Sequence, residues 1–154
     1  MSQDLGKQLQ YVTFTLNKEK YGINVLQVQE VLREVEVSPV PGAPVFILGI
    51  INLRGNVVSV IDARTRFGIA AKESDDKTRI IVINLQQMMI GILVDSVAEV
   101  MNIKPGEIEA APNAGQSTTS KYIQGLVSKD DTILILVDLD KLINFDTRSD
   151  KFAR

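Results

Sequence analysis

The stretch VTFTLNKEKYGINVLQVQEV, Val12 to Val31, returns without a gap as IVINLQQMMIGILVDSVAEV, Ile81 to Val100. Seven of the twenty aligned positions are identical: Leu16/Leu85, Gly22/Gly91, Ile23/Ile92, Val25/Val94, Val28/Val97, Glu30/Glu99 and Val31/Val100. A second pairing lays Phe46 to Asp62 on Tyr122 to Asp138, with Ile47/Ile123, Gly49/Gly125 and Asp62/Asp138 identical and most other apolar positions similar. The chain therefore reads as two related halves. A spacing of about seventy residues is too long for a solenoid unit, so two small copies of one fold should pack together instead of forming an extended array.

Each half reads mainly as strands. Val12-x-Phe14-x-Leu16 alternates, and the runs Ile80 to Leu85, Val57 to Ile61 and Ile133 to Val137 are short and rich in β-branched residues. Asn17-Lys18-Glu19-Lys20 and Gln86-Gln87 have the composition of hairpin connections, and Arg54-Gly55-Asn56 and Lys129-Asp130-Asp131 separate the later runs of each half. Short strands at regular intervals predict small barrels. Asp62 before ARTRF and Asp138 before LDKLINF stand where an N-cap carboxylate accepts backbone N–H bonds, which predicts one short helix closing each half, the second the better formed. Asn24 to Glu34 fits a helical face and a strand equally. The charged segment Ala70 to Thr78 should link the halves, and Lys104 to Lys121, rich in Pro, Ala, Gly, Ser and Thr, should be a surface loop.

Composition narrows the chemistry. The chain has 154 residues, 45% hydrophobic and 23% charged, which suits one compact unit. It contains no cysteine, which removes disulfides and thiolate chemistry, and no histidine, which removes the commonest general base and transition-metal ligand. With 17 basic and 19 acidic side chains the net charge is −2, so no attraction to nucleic acid is expected. The polar opening MSQDLGKQLQ and apolar runs too short for a bilayer span point to a soluble, cytoplasmic protein.

Carboxylates are the remaining catalytic candidates. Asp62, Asp95 and Asp138 all follow buried-looking strands, but the matched places of Asp62 and Asp138 favour capping. Glu73-Ser74-Asp75-Asp76 lacks the spaced ligands and glycine of a calcium loop. Gly42, Gly49 and Gly55 do not make a phosphate-binding spacing. No catalytic residue, metal site or cofactor is expected. Arg54 lies in Asn52-Leu53-Arg54-Gly55, while the matching turn of the second half carries Asp130; the fold does not demand arginine there, which leaves a solvated turn residue or a binding group. Val28, Glu30 and Val31, repeated as Val97, Glu99 and Val100, suit packing by the same logic.

Taken together, V-x-F-x-L…Y-G-I-x-V-L-x-V-Q-E-V from Val12 to Val31, P-x-F-I-x-G-I-x-N-L-R-G from Pro44 to Gly55, V-x-V-I-D from Val58, G-I-L-V-D-x-V-x-E-V from Gly91 to Val100, and Tyr122 to Gly125 leading into I-L-I-L-V-D resemble the CheW family. The resemblance covers about Tyr11 to Phe145. It implies a mainly β fold of two pseudo-twofold-related five-stranded SH3-like barrels with short helices, including one near the C-terminus. The expected organisation is a flexible segment 1–10, a single domain of two intertwined barrels over 11–148, and a tail 149–154.

It further implies a non-enzymatic adaptor coupling chemoreceptors to the histidine kinase CheA, cytoplasmic and recruited to membrane-associated receptor arrays. A CheV-type or pilus-motility adaptor module is the alternative. Carried over by position, receptor binding falls on Val28, Glu30, Gly49, Arg54 and Val100. Contact with the kinase regulatory domain falls on Val12, Val25, Val28 and Val31, so that Val28 is assigned to either partner. Where better-known members carry a basic residue and an aromatic for a second, ring-closing kinase contact, this chain has Glu109 and Ala114, so that contact would be differently built.

Overall fold

The structure, a computed structural model, describes residues 8–33, 35–110 and 119–143. The described residues form ten strands. They are β1 (Leu9–Leu16), β2 (Glu19–Asn24), β3 (Val28–Leu32), β4 (Ile47–Leu53) and β5 (Asn56–Asp62), then β6 (Arg79–Leu85), β7 (Met88–Val94), β8 (Ser96–Ile103), β9 (Ile123–Lys129) and β10 (Thr132–Val137). Helix α1 (Ala63–Arg66) follows β5 and α2 (Leu139–Ile143) follows β10. The undecided segment after Asn24 resolves into a 3-10 turn, Val25–Gln27, running directly into β3.

Two five-stranded sheets form, in the orders β8-β1-β2-β10-β9 and β3-β6-β7-β5-β4. Because β6 to β8 repeat β1 to β3 and β9 to β10 repeat β4 to β5, the two orders are the same order written for opposite halves. Each sheet nevertheless mixes the halves: β1 and β2 sit with β8, β9 and β10, and β6 and β7 sit with β3, β4 and β5. The registers obey the symmetry, since Val12 faces Val100 and Phe14 faces Val97 in one sheet, while Ile81 faces Val31 and Ile83 faces Val28 in the other. Gly22 lies beside Leu136 and Gly91 beside Val60 in matching parallel pairs. The expected pseudo-twofold is present, with the first two strands of each half in one sheet and the last three in the other.

All four hairpins turn on two residues with positive φ: Asn17-Lys18 (52° and 78°), Arg54-Gly55 (50° and 89°), Gln86-Gln87 (55° and 68°) and Asp130-Asp131 (51° and 64°). This is the type I′ geometry, whose twist matches that of paired strands. Both predicted caps form. Asp62 accepts from the Arg64 N–H at 3.1 Å and the Thr65 hydroxyl at 3.2 Å, and Asp138 accepts from the Lys141 N–H at 3.2 Å.

Beyond β3 the chain crosses to the far end of its own sheet, where Ser38 pairs with Ile50 of β4; beyond β8, Glu109 pairs in the same way with Leu126 of β9. These bridges bring the ends of each strand order together and close two barrels. One interior holds Ile51, Leu53, Val58, Val60, Ile80 and Val82, and the other Tyr11, Ile103, Val127, Leu134 and Leu136. A larger shared core draws on both sheets and carries the ring series Phe14, Tyr21, Phe67 and Tyr122, with successive centroids 5.5, 5.3 and 5.7 Å apart. Burial of each such side chain contributes about 1.5 to 3 kcal/mol, so the seam between the barrels is a major source of stability.

Candidate protein-interaction site

The segment Asn24 to Leu32 sets the geometry of the site. The Asn24 side chain accepts the Leu26 N–H at 2.9 Å and fixes the 3-10 turn. Strand β3 then pairs with β6, with a bulge between Val28 and Glu30. A bulge reverses the inside–outside alternation of a strand. Val28 accordingly packs against the shared core, whereas Leu32 packs into the barrel interior. Val31 stands opposite Ile81 and keeps 39% of its surface exposed.

Glu30 is turned toward the β4–β5 hairpin, where its carboxylate accepts a hydrogen bond from Nη2 of Arg54. Since β3 and β4 are the two ends of one strand order, this ion pair spans the closure of the barrel. The Arg54 side chain is 66% exposed, so most of its fork faces solvent. The β4–β5 hairpin also borders a groove of about 400 Å³, lined by Val35, Glu36 and Ser38 on one side and by Ile50, Asn52 and Val57 on the other.

The other barrel closes differently. There Glu99, the repeat of Glu30, meets Lys20 at 3.6 Å, and Lys129 donates to the Asn102 carbonyl at 2.9 Å with Glu107 at 3.5 Å. The divergence of Arg54 from Asp130 noted in the sequence thus marks a corner where, among the described residues, the two barrels use different ion pairs: Arg54 with Glu30 on one, and Lys20 with Glu99 and Lys129 with Glu107 on the other.

Val28, Glu30 and Arg54 are brought together on the β3 barrel, with Val25 half-buried in the turn before them and Val31 beyond. Val100 is 48% exposed on β8 of the other sheet. Two of the expected contacts are not at the surface. Val12, at 6% exposure, lies under the β1–β8 pairing opposite Val100. Gly49 is buried at the β4 bulge, where a Cβ would stand 2.3 Å from the Ser38 carbonyl oxygen, so its role is to let the crossing chain approach β4. Glu109 is exposed and exchanges backbone hydrogen bonds of 2.8 Å with Leu126; Ala114 lies outside the described residues. Nothing in the residue pattern distinguishes Leu26 from Val25, yet Leu26 is the side chain that the turn directs outward.

The three carboxylates weighed as catalytic groups all have structural partners. Asp62 and Asp138 cap helices. Asp95 receives a bidentate pair from Arg64, Nε and Nη2 each at 2.8 Å, and the Asn17 N–H at 2.9 Å. The Arg64 hydrogen bonds, aided by the Asn17 N–H, hold the Asp95 carboxyl below the usual carboxylate range. Burial, with Glu19 nearby, pushes the Tyr21 hydroxyl up to about 12. Among the described residues no three Asp or Glu side chains gather as a metal-binding group, and no helix is long and apolar enough to cross a membrane.

Such a molecule is a paired-barrel domain whose distinctive side chains sit on outward strands and hairpins. It belongs to the CheW-like domain family, whose model matches residues 10–146. The chain is 37% identical over 135 residues to the chemotaxis protein CheW of Klebsiella aerogenes, covering 88% of this chain and 81% of that one. It is 32% identical over 144 residues to the chemotaxis protein CheW of Bacillus subtilis, covering 94% and 92%. The crystal structure of the scaffolding protein TtCheW from Thermoanaerobacter tengcongensis superposes with a TM-score of 0.84 at 34% identity, covering 91% of this chain and 95% of that one.

Proposed function

We propose that the chain is a non-catalytic, cytoplasmic adaptor of chemotaxis that holds chemoreceptors and the histidine kinase CheA together and lets the receptors control the kinase. The observation that carries this reading is the double character of β3: one short strand supplies the apolar side chains of Val28 and Val31 and also Glu30, which Arg54 of the β4–β5 hairpin engages. Two chemically different surfaces only a few residues apart suit a protein that must hold two partners at once.

In this reading the kinase regulatory domain covers Val25, Val28 and Val31, and the receptor tip meets Glu30, Arg54 and Val100, whose exposed polar fork and apolar side chain suit a helical hairpin. Val12 and Gly49 act beneath these surfaces, Val12 by supporting Val100 and Gly49 by seating the strand that carries Arg54. The place of the second kinase contact holds Glu109 and Ala114 and is differently built, the domain extends over 11–148, and the chain is recruited to membrane-associated arrays through its receptors.

A CheV-type role is the second reading. It is favoured by 30% identity over 128 residues to the chemotaxis protein CheV3 of Helicobacter pylori, of which the match covers 41%. The experiment that tests the main reading is titration of Val28→Asp against the isolated CheA regulatory domain at low and high salt, after thermal unfolding shows an intact fold. An unpaired charge in a desolvated patch should abolish binding at both salt concentrations. Unchanged affinity would remove the β3 edge from the kinase interface.

A further inference from the structure

The repeat that lays Phe46 to Asp62 on Tyr122 to Asp138 continues through the two helices and sets Ala63–Arg66 of α1 on residues 139–142 of α2. Phe46 thus corresponds to Tyr122, and Arg66 to Leu142. Both halves seat their ring in the same way, since the Asp62 N–H donates to the Phe46 carbonyl and the Asp138 N–H to the Tyr122 carbonyl, each at 2.8 Å.

The structure brings these equivalent positions to one point. The guanidinium carbon of Arg66 lies 4.2 Å from the centroid of the Phe46 ring and 5.0 Å from that of Tyr122, while its Nε donates to the Leu142 carbonyl at 2.8 Å. A side chain that meets both members of one repeat pair and the main chain of its own counterpart stands at the pseudo-twofold. Its partners are divided between the barrels: Phe46 and Arg66 flank β4 and β5 of one sheet, and Tyr122 and Leu142 flank β9 and β10 of the other. The chemistry is one-sided, because the second half has leucine where the first has arginine, and that leucine is 1% exposed in the shared core.

Apolar contact across the seam is non-directional and does not by itself fix an angle between the barrels. Arg66 adds direction. A guanidinium is attracted to the face of a ring by the ring's quadrupole, and a hydrogen bond from a charged donor is stronger than a neutral one. Tyr122 is itself fixed, stacked on Phe67 with centroids 5.7 Å apart and planes 11° apart. The residues assigned above to the receptor are split across this same seam, Glu30 and Arg54 with one sheet and Val100 on β8 of the other, whereas Val28 and Val31 lie on β3 alone.

We infer that Arg66 is a positioning residue: it clamps the two barrels at a fixed angle and so presents the receptor-binding residues of both as one surface. This rests on the adaptor reading above and adds to it the side chain that holds a two-barrel site in register. Without the clamp the barrels sample several orientations, and receptor affinity falls with the fraction of molecules in the competent one. A contact made by one barrel alone is unaffected.

The chain has no cysteine, so a pair of introduced cysteines can be spin-labelled without background. Val57→Cys and Ile133→Cys suit this, being repeat equivalents, 68% and 57% exposed, one on each sheet. Dipolar distances between the labels are measured by electron spin resonance in the otherwise wild-type chain, in Arg66→Met and in Arg66→Lys. The same Arg66 variants without labels are titrated calorimetrically against a receptor cytoplasmic fragment and the isolated kinase regulatory domain, with thermal unfolding alongside. Arg66→Met, which loses the planar cation and the donor, is expected to broaden the distance distribution about twofold or more and to weaken receptor binding about 10-fold, equivalent to about 1.4 kcal/mol, with kinase-domain affinity within about twofold of wild type. Arg66→Lys keeps the charge without the plane or the Nε donor and should fall between. A wild-type distance distribution in Arg66→Met overturns the clamp, and a broadened one with unchanged receptor affinity overturns its part in the receptor site. Equal loss of affinity for both partners makes Arg66 a general structural residue and also overturns the inference. If Arg66→Met fails to fold, Arg66→Lys decides by the same criteria. Failure of the wild-type chain to bind the receptor fragment removes the adaptor reading and with it the receptor role of Arg66, while the distance measurement still decides the clamp.

Discussion

Replacing Gly49 by alanine should unfold the protein more readily before it disturbs any partner. The new Cβ would lie 2.3 Å from the Ser38 carbonyl oxygen and 2.8 Å from both the Ser38 carbonyl carbon and Val37 Cγ1, with the backbone at φ +156°. Backbone atoms cannot rotate away, so the crossing segment must withdraw by about 1 Å to restore van der Waals separation. Withdrawal breaks the two hydrogen bonds that close the barrel, Ser38 N–H to the Ile50 carbonyl at 2.9 Å and Ile50 N–H to the Ser38 carbonyl at 2.8 Å. At about 1 kcal/mol for each bond and about 1 to 3 kcal/mol for a side chain in a glycine conformation, the loss is roughly 3 to 5 kcal/mol. A domain of this size then melts about 10 °C earlier. Gly125→Ala is the internal control, because its nearest clash, 2.8 Å, is with the rotatable Cγ2 of Ile108, although the Glu109 carbonyl oxygen is 2.9 Å away; it should lose about 1 to 2 kcal/mol. The assay is denaturant and thermal unfolding of both variants beside receptor-dependent kinase activation. A Gly49→Ala protein that unfolds within about 0.5 kcal/mol of wild type but fails to couple receptors would refute the reasoning and return Gly49 to the contact surface.

Arg54→Ala should unfold within about 0.5 kcal/mol of wild type, since an exposed ion pair contributes little, while receptor association weakens by about 1 to 3 kcal/mol; calorimetric titration beside a melting curve separates the two. Asp95→Asn removes the bidentate acceptor of Arg64 and should lower stability by about 2 kcal/mol, measured by urea titration. Because the folded-state pKa of Asp95 is depressed, the stabilisation it supplies is present above about pH 4, the ordinary carboxylate range, and is lost as pH falls through the depressed value. The stability difference between wild type and Asp95→Asn should therefore shrink on acidification, and a difference that grows would contradict this. A fragment of residues 8–70 holds only two strands of one sheet and three of the other; it should lack cooperative unfolding alone and gain it on mixing with residues 71–143, as read by circular dichroism.

Much of the fold is legible in the sequence because duplication fixes where strands, turns and caps recur. Leu16/Leu85, Gly22/Gly91 and Asp62/Asp138 all fall at equivalent places in the structure. The division of each half between the two sheets is not legible, and the duplication itself is the reason. β1 and β6 have matching apolar patterns, so β3 meets the same kind of edge on either. The burial of Gly49 and Val12 is not legible either, because a motif position does not say whether it lies at the surface or beneath it. Leu26 and Asp95 show the converse, since two aligned residues differ in fate through Arg64, which lies 31 positions before Asp95 and has Asp140 as its repeat partner.

The most direct test of the account is reconstitution of CheA with a receptor cytoplasmic fragment, with and without this protein, measuring kinase phosphorylation rate and its response to receptor ligand state. The account predicts ligand-controlled kinase activity only when the protein is present, lost with Arg54→Ala through failed receptor binding and with Val28→Asp through failed kinase binding. Control of the kinase that is equal without the protein, or untouched by both substitutions, would contradict it.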